Sequence, residues 1–417
     1  MLVLRFCGSR SPLMSPVSLH AGPPAEAQAS RPLIGLDLLR FGAAALVVVF
    51  HLACTAWLDP SSEAAELVGT PIPFPALLPL SSQGWIGVQM FFVISGYVIA
   101  SSASQASASR FLVNRVLRLM PGIWFCATLS FALALIFMPE PVTVLLAWYA
   151  RTLILFPVPR WIDGVYWTLG IEIIFYGLVF ALLALRRFDR LESVVLAVGL
   201  ASTLMWCLAA MSLWPDLGRI ISTRIAKLIL ITHGCHFALG VLIWSGASRG
   251  FTRMRLLGIA VCTVGGLLQI RYDAGFAGAS LGLDRDPATA WLLYAVFLGL
   301  FCLSIRANVA LTDALPALAA RVRHLGLATY PLYLLHTFIG ALAMRLLHGL
   351  GLPPALCLAG GFATAVAAAL LVSRRIEPLV RTRLKGMIAP AEAGRPARGF
   401  VNRPIDDRTV PARQRSS

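Results

Sequence analysis

Six ionisable side chains fall within long apolar stretches of the sequence, where a charged or proton-binding group is costly unless it has a function or a partner. They are Arg40, His51, Glu172, His233, His236 and His336, with Asp37 at the edge of the first stretch. An imidazole can take a proton from a hydroxyl, and guanidinium groups bind phosphate. The set therefore indicates acid–base chemistry combined with anion binding in an apolar setting.

Arg40 and His51 are 11 residues apart in one apolar stretch. On a helix this spacing is about 20° beyond three full turns and about 16 Å along the axis. The two side chains are therefore predicted to share a face, with Arg40 near one membrane boundary and His51 about two-thirds of the way across. The alternatives are a snorkelling anchor for Arg40 and an interhelical hydrogen bond for His51.

Glu172 lies six residues after the start of its predicted helix, and His51 lies six residues before the end of its own. Both of these helix ends are on the predicted outer side, so each side chain lies roughly 9 Å below the outer boundary by helical rise. A carboxylate and an imidazole at one depth can pair. Such a pair would hold the imidazole in the tautomer that abstracts a proton, so we predict His51 and Glu172 as the catalytic pair. A purely structural pair is the alternative.

Arg115 and Arg118 are three residues apart and share a face if their segment is helical. Paired guanidinium groups suit phosphate recognition, whereas ordinary topological bias is the alternative. Ser95 and Gly96 end the glycine-containing segment GWIGVQMFFVISG, in which small residues permit close helix approach.

A second polar stripe is formed by Tyr330, Tyr333 and His336 at i, i+3 and i+6. His233 and His236 are also three apart, but a metal site needs at least a third ligand at a fitting depth. The sequence offers no clear one, so no metal is predicted.

The elements that must position these residues follow from composition. Of 417 residues, 58% are hydrophobic and only 13% are charged. A soluble domain carries about a quarter charged residues, so this chain is predicted to be an integral membrane protein. The net charge of +16 comes from basic clusters between apolar runs, which is typical of cytoplasmic loops and not of a nucleic-acid-binding surface.

The predicted fold is all-α, a polytopic membrane helix bundle of about ten transmembrane helices. The ten candidate spans are 37–57, 84–103, 121–138, 166–185, 192–214, 225–245, 255–271, 289–306, 325–347 and 352–373. Segment 142–157 is apolar but interrupted, which favours a re-entrant or interfacial piece. Most of the 35 basic residues fall in alternate loops and at the two ends, so both termini are predicted to be cytoplasmic.

Three regions are predicted along the chain. Residues 1–32 form a disordered cytosolic lead, residues 33–375 the membrane domain, and residues 376–417 a basic cytosolic tail without regular structure.

Five segments in order resemble the motifs of the acyltransferase-3 family of membrane proteins, over about residues 33–375. The segments are IGLDLLRFGAAALVVVFH with Arg40 and His51, GWIGVQMFFVISGYVI, RFLVNRVLRLMP with Arg115 and Arg118, YWTLGIEIIFY with Trp167 and Glu172, and LATYPLYLLH with Tyr330, Tyr333 and His336. Thr168 and Thr329 stand where the family more often has serine.

The resemblance implies transfer of an acyl group, usually acetyl from acetyl-CoA or another acyl-CoA, to a hydroxyl of a glycan or glycolipid, in the bacterial inner membrane. It implies catalytic roles for His51, Glu172 and Arg40, and donor binding by Arg115 and Arg118. Trp167, Tyr330, Tyr333, His336, Ser95 and Gly96 are then channel-lining or structural. The alternative is a proton-coupled transporter with Glu172 and His51 as a relay. Transporters often contain an internal repeat, and this sequence shows none.

Overall fold

The computed structural model describes residues 33–393 except 213, 285 and 315. The predicted lead, 1–32, and the part of the predicted tail from 394 to 417 lie outside these residues. The described chain is helical and contains no strand, which confirms the all-α class. Helices dominate because a backbone in lipid must bond its polar groups within its own segment.

Eighteen α-helices, labelled in chain order within the described residues, are joined by short 3₁₀ and π-helical turns. The α-helices are α1 Ile34–Phe50, α2 Ala56–Leu58, α3 Glu63–Val68, α4 Leu78–Ser81, α5 Gly87–Ala103, α6 Ala108–Phe137, α7 Val142–Leu153, α8 Trp167–Ala184, α9 Leu191–Ala210, α10 Leu217–Ile221, α11 Arg224–Leu228, α12 Gly234–Arg249, α13 Arg253–Leu281, α14 Ala288–Ala314, α15 Pro316–Leu335, α16 Ala341–Gly349, α17 Pro354–Leu371 and α18 Glu377–Ala393. The 3₁₀ turns are Pro75–Leu77, Gly84–Ile86, Gly164–Tyr166 and Phe188–Arg190, and the π turns are His51–Thr55, His336–Gly340 and Val372–Ile376.

Nine continuous helical stretches in the part of the chain that the structure describes are long and apolar enough to cross a membrane. They are Ile34–Leu58, Pro75–Ala103, Ala108–Phe137, Gly164–Ala184, Phe188–Ala210, Arg253–Leu281, Ala288–Asn308, Pro316–Gly349 and Pro354–Met387. Nine of the ten predicted spans correspond to these stretches. The chain is therefore an integral membrane protein built as a polytopic helix bundle.

The remaining prediction, a continuous helix over 225–245, is wrong. The chain breaks between α11 and α12, where Leu230 adopts a left-handed conformation with φ 63°. Helix α12 has 16 residues and packs against α5, α9 and α13, so it lies inside the bundle. Helix α12 is shorter than each of the nine stretches, and the cytoplasmic location of both termini stays a prediction.

Helices α5 and α12 touch backbone to backbone. A Cβ at Gly96 would meet the carbonyl oxygen of Phe237, and one at Gly240 would meet that of Val93. Small residues at the crossing allow this approach, since lipid provides no hydrophobic force to bring helices together. Gly96 is thus a packing residue.

Two segments that were not predicted as spans are helical. Helix α7 has 12 residues, too few to cross the hydrocarbon core, in agreement with an interfacial piece. Helix α18 occupies the first part of the predicted tail, where Arg381 donates from Nε to the carbonyl oxygen of Leu117 at 3.1 Å. The tail therefore begins as a helix docked on α6 rather than as irregular chain.

Five helices surround the interior of the bundle. Helix α1 packs against α5 and α15, α5 against α8, and α6 against both α8 and α15. Most of the polar residues singled out in the sequence lie on these helices or on the π turns that continue them, whereas His233 and His236 lie at the start of α12, which packs against α5.

Candidate active site

Two chambers lie inside the bundle, and we name them inner and outer after the predicted orientation, in which both termini are cytoplasmic. The inner chamber contains Arg40, Arg115, Arg118 and Glu172. The outer chamber is bounded by the 59–64 and 159–164 loops and contains His51. Their free volumes are about 80 Å³ and about 650 Å³. Val88 and Tyr333 line both chambers and form the wall between them.

The wall is held by hydrogen bonds at Tyr333. Its hydroxyl donates to the carbonyl oxygen of Val165 at 3.1 Å and accepts from Thr168 Oγ1 at 3.0 Å. One turn towards the inner side, the Tyr330 hydroxyl donates to the carbonyl oxygen of Leu119 at 3.2 Å. The tyrosine stripe of α15 therefore runs from the inner chamber to the wall, and His336 continues it to the outer side.

His51 pairs with His336. Nδ1 of His51 lies 3.0 Å from Nε2 of His336, and the ring centroids are 4.9 Å apart. Each histidine is the first residue of a π-helical turn, His51–Thr55 in one helix and His336–Gly340 in the other. Such turns are rare and occur frequently at functional sites, since the extra residue redirects the side chain.

Backbone carbonyls assign the proton positions in this pair. His336 Nδ1 lies 2.9 Å from the carbonyl oxygen of Tyr333 and 3.2 Å from that of Leu332, so Nδ1 carries its proton. In the neutral ring Nε2 is then an acceptor, and His51 Nδ1, which also lies 3.0 Å from the carbonyl oxygen of Val47, must be the donor. The lone pair of neutral His51 is therefore on Nε2, which makes no hydrogen bond to any described residue. This is the tautomer that a general base requires.

Glu172 does not pair with His51, contrary to the sequence-based prediction. Oε1 of Glu172 accepts from Ser95 Oγ at 3.0 Å and from the Tyr176 hydroxyl at 2.7 Å, within the inner chamber. Counting residues from the helix ends gave the depth of each side chain but not its direction around the helix axis. The wall at Tyr333 therefore lies between the two side chains that the count had paired.

Three guanidinium groups share the inner chamber with Glu172. Arg115 donates to Ser102 Oγ at 2.6 Å and lies over the Tyr176 ring at 5.4 Å. Nε of Arg40 is buried without a partner, and Arg118 makes no hydrogen bond to any described residue. With three cations and one carboxylate, this chamber favours an anionic group.

The outer chamber has a different lining. It contains the indoles of Trp85, Trp161 and Trp167, and Lys227 Nζ lies 4.8 Å from the centroid of the Trp167 ring. Four carboxylates line it, from Asp59, Glu63, Asp163 and Asp273. Its basic side chains other than the histidines are Arg160 and Lys227.

Two of these carboxylates form a coupled pair at the outer rim. Glu63 accepts from the backbone N–H of Gly164 at 2.8 Å, and Asp163 accepts from that of Val165 at 3.0 Å. Burial raises the pKa of Glu63 to about 7, against the lowering effect of the Gly164 hydrogen bond. Burial and then the neighbouring Glu63 raise the pKa of Asp163 above its ordinary value. The pair therefore retains a proton at pH values where single carboxyl groups are ionised.

Sequence reasoning missed the partner of His51 and most of the outer chamber. His336 was singled out, but only as part of a stripe. Gln89 is uncharged, so it was not among the ionisable side chains singled out within the apolar stretches. Asp273 falls two residues beyond the predicted span 255–271. The extension of that helix to Leu281 places Asp273 inside the bundle. No group of three metal-ligating side chains occurs among the described residues.

The comparison with protein families agrees with this geometry. The acyltransferase-3 family model, described as an acyltransferase domain, matches residues 33–374. No curated protein and no solved structure matched the chain. The match covers most of the sequence, so the chain belongs to the acyltransferase-3 family and is a membrane acyltransferase.

Proposed function

We propose that this acyltransferase moves an acyl group, acetyl in the first instance, from acyl-CoA on the cytosolic side to a hydroxyl of a cell-surface or secreted glycan. The membrane concerned would be the bacterial cytoplasmic membrane. The observation that supports this best is the pairing of a cationic chamber with a chamber that holds an oriented histidine, with Tyr333 as their common wall.

The donor would enter from the inner side. Coenzyme A carries several phosphates, and Arg40, Arg115 and Arg118 offer charge-assisted hydrogen bonds to them. The inner chamber is too small for a nucleotide but has room for a narrow thioester arm. The acyl-thioester would extend past Tyr333 towards His51, while the phosphates remain at the arginine-lined mouth.

The acceptor hydroxyl would reach His51 from the outer chamber. His51 Nε2 takes the hydroxyl proton as the oxygen attacks the thioester carbonyl carbon. The resulting imidazolium of His51 is stabilised by the Val47 carbonyl oxygen and by His336 Nε2, which accept from its Nδ1. The new C–O bond forms and the C–S bond breaks. The departing thiolate takes the proton from the His51 imidazolium, which gives free coenzyme A and restores neutral His51.

A direct assay tests the proposal. Purified protein in nanodiscs is incubated with radiolabelled acetyl-CoA and a glycan extract of the host surface, and label is sought on the glycan. Label on the glycan, dependent on His51, supports the proposal. Consumption of acetyl-CoA without labelled glycan would contradict it. Label that remains on the protein in the absence of glycan would distinguish an acyl-enzyme from direct transfer.

A further inference from the structure

The outer chamber contains buried polar atoms that have no partner within the described protein. They are both ring nitrogens of His233, Nε1 of Trp85 and the carboxamide oxygen Oε1 of Gln89, and, at the carboxyl pair of the rim, Asp163 Oδ2 and Thr337 Oγ1. His233 is 2% exposed and Gln89 is 2% exposed. Buried polar atoms are nearly always hydrogen-bonded. Asp163 and Thr337 are close enough to bond to each other. The other three side chains are therefore the ones that point to a ligand.

Gln89 is held in a fixed orientation. Its Nε2 donates to Asp273 Oδ2 at 3.0 Å, and the same oxygen accepts from Nε2 of Gln269. Behind Gln269, His236 bonds to Gln269 Oε1 at 3.1 Å and to the Tyr294 hydroxyl at 2.7 Å. This chain connects α5, α12, α13 and α14, and leaves the Gln89 carbonyl oxygen as the free acceptor. His236 is therefore fully bonded, whereas His233, one turn away, is not.

The charged groups near His233 and Gln89, which are Asp273 and Lys227, already have partners. Asp273 is bonded by two amides, and Lys227 lies on the face of Trp167 within electrostatic range of Asp273. What remains for a ligand is an indole N–H, an amide oxygen and an imidazole, which together complement uncharged hydroxyl groups. The four carboxylates of the lining outnumber its two cations, Arg160 and Lys227, which disfavours a carboxylate or phosphate ligand.

We propose that His233, Gln89 and Trp85 form the acceptor-recognition subsite, and that it selects an uncharged, hydroxyl-bearing sugar ring over a uronic acid or a sugar phosphate. This inference rests on the proposed function and specifies the acceptor of the same site. Asp273 is a positioning residue that acts through Gln89. The indole walls supply the apolar surface on which the C–H face of a sugar ring packs.

The first test needs no variant. The host glycan extract is separated by anion exchange into uncharged and acidic fractions, and each is offered to the wild-type protein with radiolabelled acetyl-CoA. We expect at least tenfold more label in the uncharged fraction at equal sugar concentration. Preferential labelling of the acidic fraction would overturn the subsite while leaving the proposed function intact.

The second test uses His233→Phe, Gln89→Met and Trp85→Phe, which keep size but remove the hydrogen bonds. The KM for the uncharged fraction should rise about tenfold in each variant, while kcat and the KM for acetyl-CoA change less than about twofold. Matched controls are His348→Phe and Trp214→Phe, both exposed, and Gln83→Met, which lines neither chamber. They should behave as wild type.

The outcomes separate the two proposals. Wild-type transfer with an unchanged acceptor KM in all three variants overturns the subsite alone. Absence of transfer by the wild type to either fraction overturns the proposed function, and the subsite with it.

Discussion

The inner and outer chambers differ in how their polar groups are satisfied. In the inner chamber three arginines accompany one carboxylate, and Glu172 is bonded by Ser95 and Tyr176. In the outer chamber the unpartnered atoms of Trp85, Gln89 and His233 are neutral, and Asp163 Oδ2 belongs to the carboxyl pair that shares a proton. His51, in the same chamber, has its proton position fixed by backbone carbonyls. The two chambers therefore suit an anionic and an uncharged ligand, respectively.

The comparison also shows that His51, the proposed base, is oriented without a carboxylate bonded to it. A buried ion pair requires two desolvated charges, whereas the pair of His51 and His336 is neutral. The carbonyl oxygens of Val47, Leu332 and Tyr333 orient both rings through acceptors that the helices already contain. In the proposed mechanism, charge develops at His51 only during the reaction.

The largest expected effect is that of His51→Ala. A general base contributes typically about 10²–10⁴-fold, so transfer per folded molecule should fall by that factor. Binding of acetyl-CoA should remain, because the arginines lie in the other chamber. His348→Ala is the control for histidine loss. Near-normal activity per folded molecule would show that His51 is structural and that the outer chamber contains no base.

The second prediction concerns which residue acts with His51. His336→Leu removes the acceptor that orients His51 and should lower the rate about 10²-fold, the lower end for a lost general base. The double variant with His51→Ala should be little slower than His51→Ala alone, because residues acting as one unit are not additive.

Glu172→Gln provides the contrast. Glu172 lies in the inner chamber, away from the histidine pair. The increases in activation free energy caused by Glu172→Gln and by His336→Leu should therefore add within about 0.5 kcal/mol. The rates of both single variants and the double variant measure this coupling. A coupling of about 1 kcal/mol or more would indicate that Glu172 and the histidine pair work together after all, as the sequence alone suggested.

The third prediction concerns the donor. Loss of a charge-assisted phosphate contact costs about 1.5–3 kcal/mol, so Arg118→Ala should weaken acetyl-CoA binding by about 10–150-fold. Arg115→Ala should weaken it less, because Arg115 is already bonded to Ser102. Isothermal titration with the protein in nanodiscs measures both. Arg110→Ala, an exposed arginine at the same end of α6, should bind donor as wild type. Unchanged affinity in both test variants would make these arginines topology signals only.

The sequence predicts the fold class and nearly every span because apolar length and arginine distribution are local properties of the chain. It does not predict the break after Leu228, since the packing of α12 against α5 depends on the close approach of Gly96 and Gly240 to backbone carbonyls of the opposite helix. In the same way, the sequence identifies His51, Glu172 and His336 as ionisable groups in apolar stretches. It pairs His51 with Glu172, whereas the structure pairs His51 with His336. Counting residues along a helix gives the depth of a side chain in the membrane. Its hydrogen-bond partner depends also on the direction in which it leaves the helix axis and on which helices lie next to it.

The smallest expected effect concerns the carboxyl pair at the outer rim. Because the folded-state pKa of Glu63 is raised from 4.5 to about 7, the folded protein binds more protons than the unfolded chain between these values. The stability that this provides is fully present below pH 4.5 and is lost as the pH rises through about 7. The thermal midpoint in nanodiscs should therefore fall over this range, with Asp163 contributing in the same direction because its pKa is also raised.

Glu63→Gln removes one partner of this pair and keeps its size. Its midpoint should depend less on pH between about 5 and 7.5, because the introduced carboxamide does not ionise and Asp163 no longer faces a second carboxylate. Arg160 lowers and Glu66 raises the pKa of Glu63, and both are unchanged in the variant. Asp59→Asn, whose native carboxylate accepts from Ser61 in the same loop, is the control and should keep the wild-type slope. An equally steep slope in Glu63→Gln would place the titrating group elsewhere and would leave the outer rim without its shared proton.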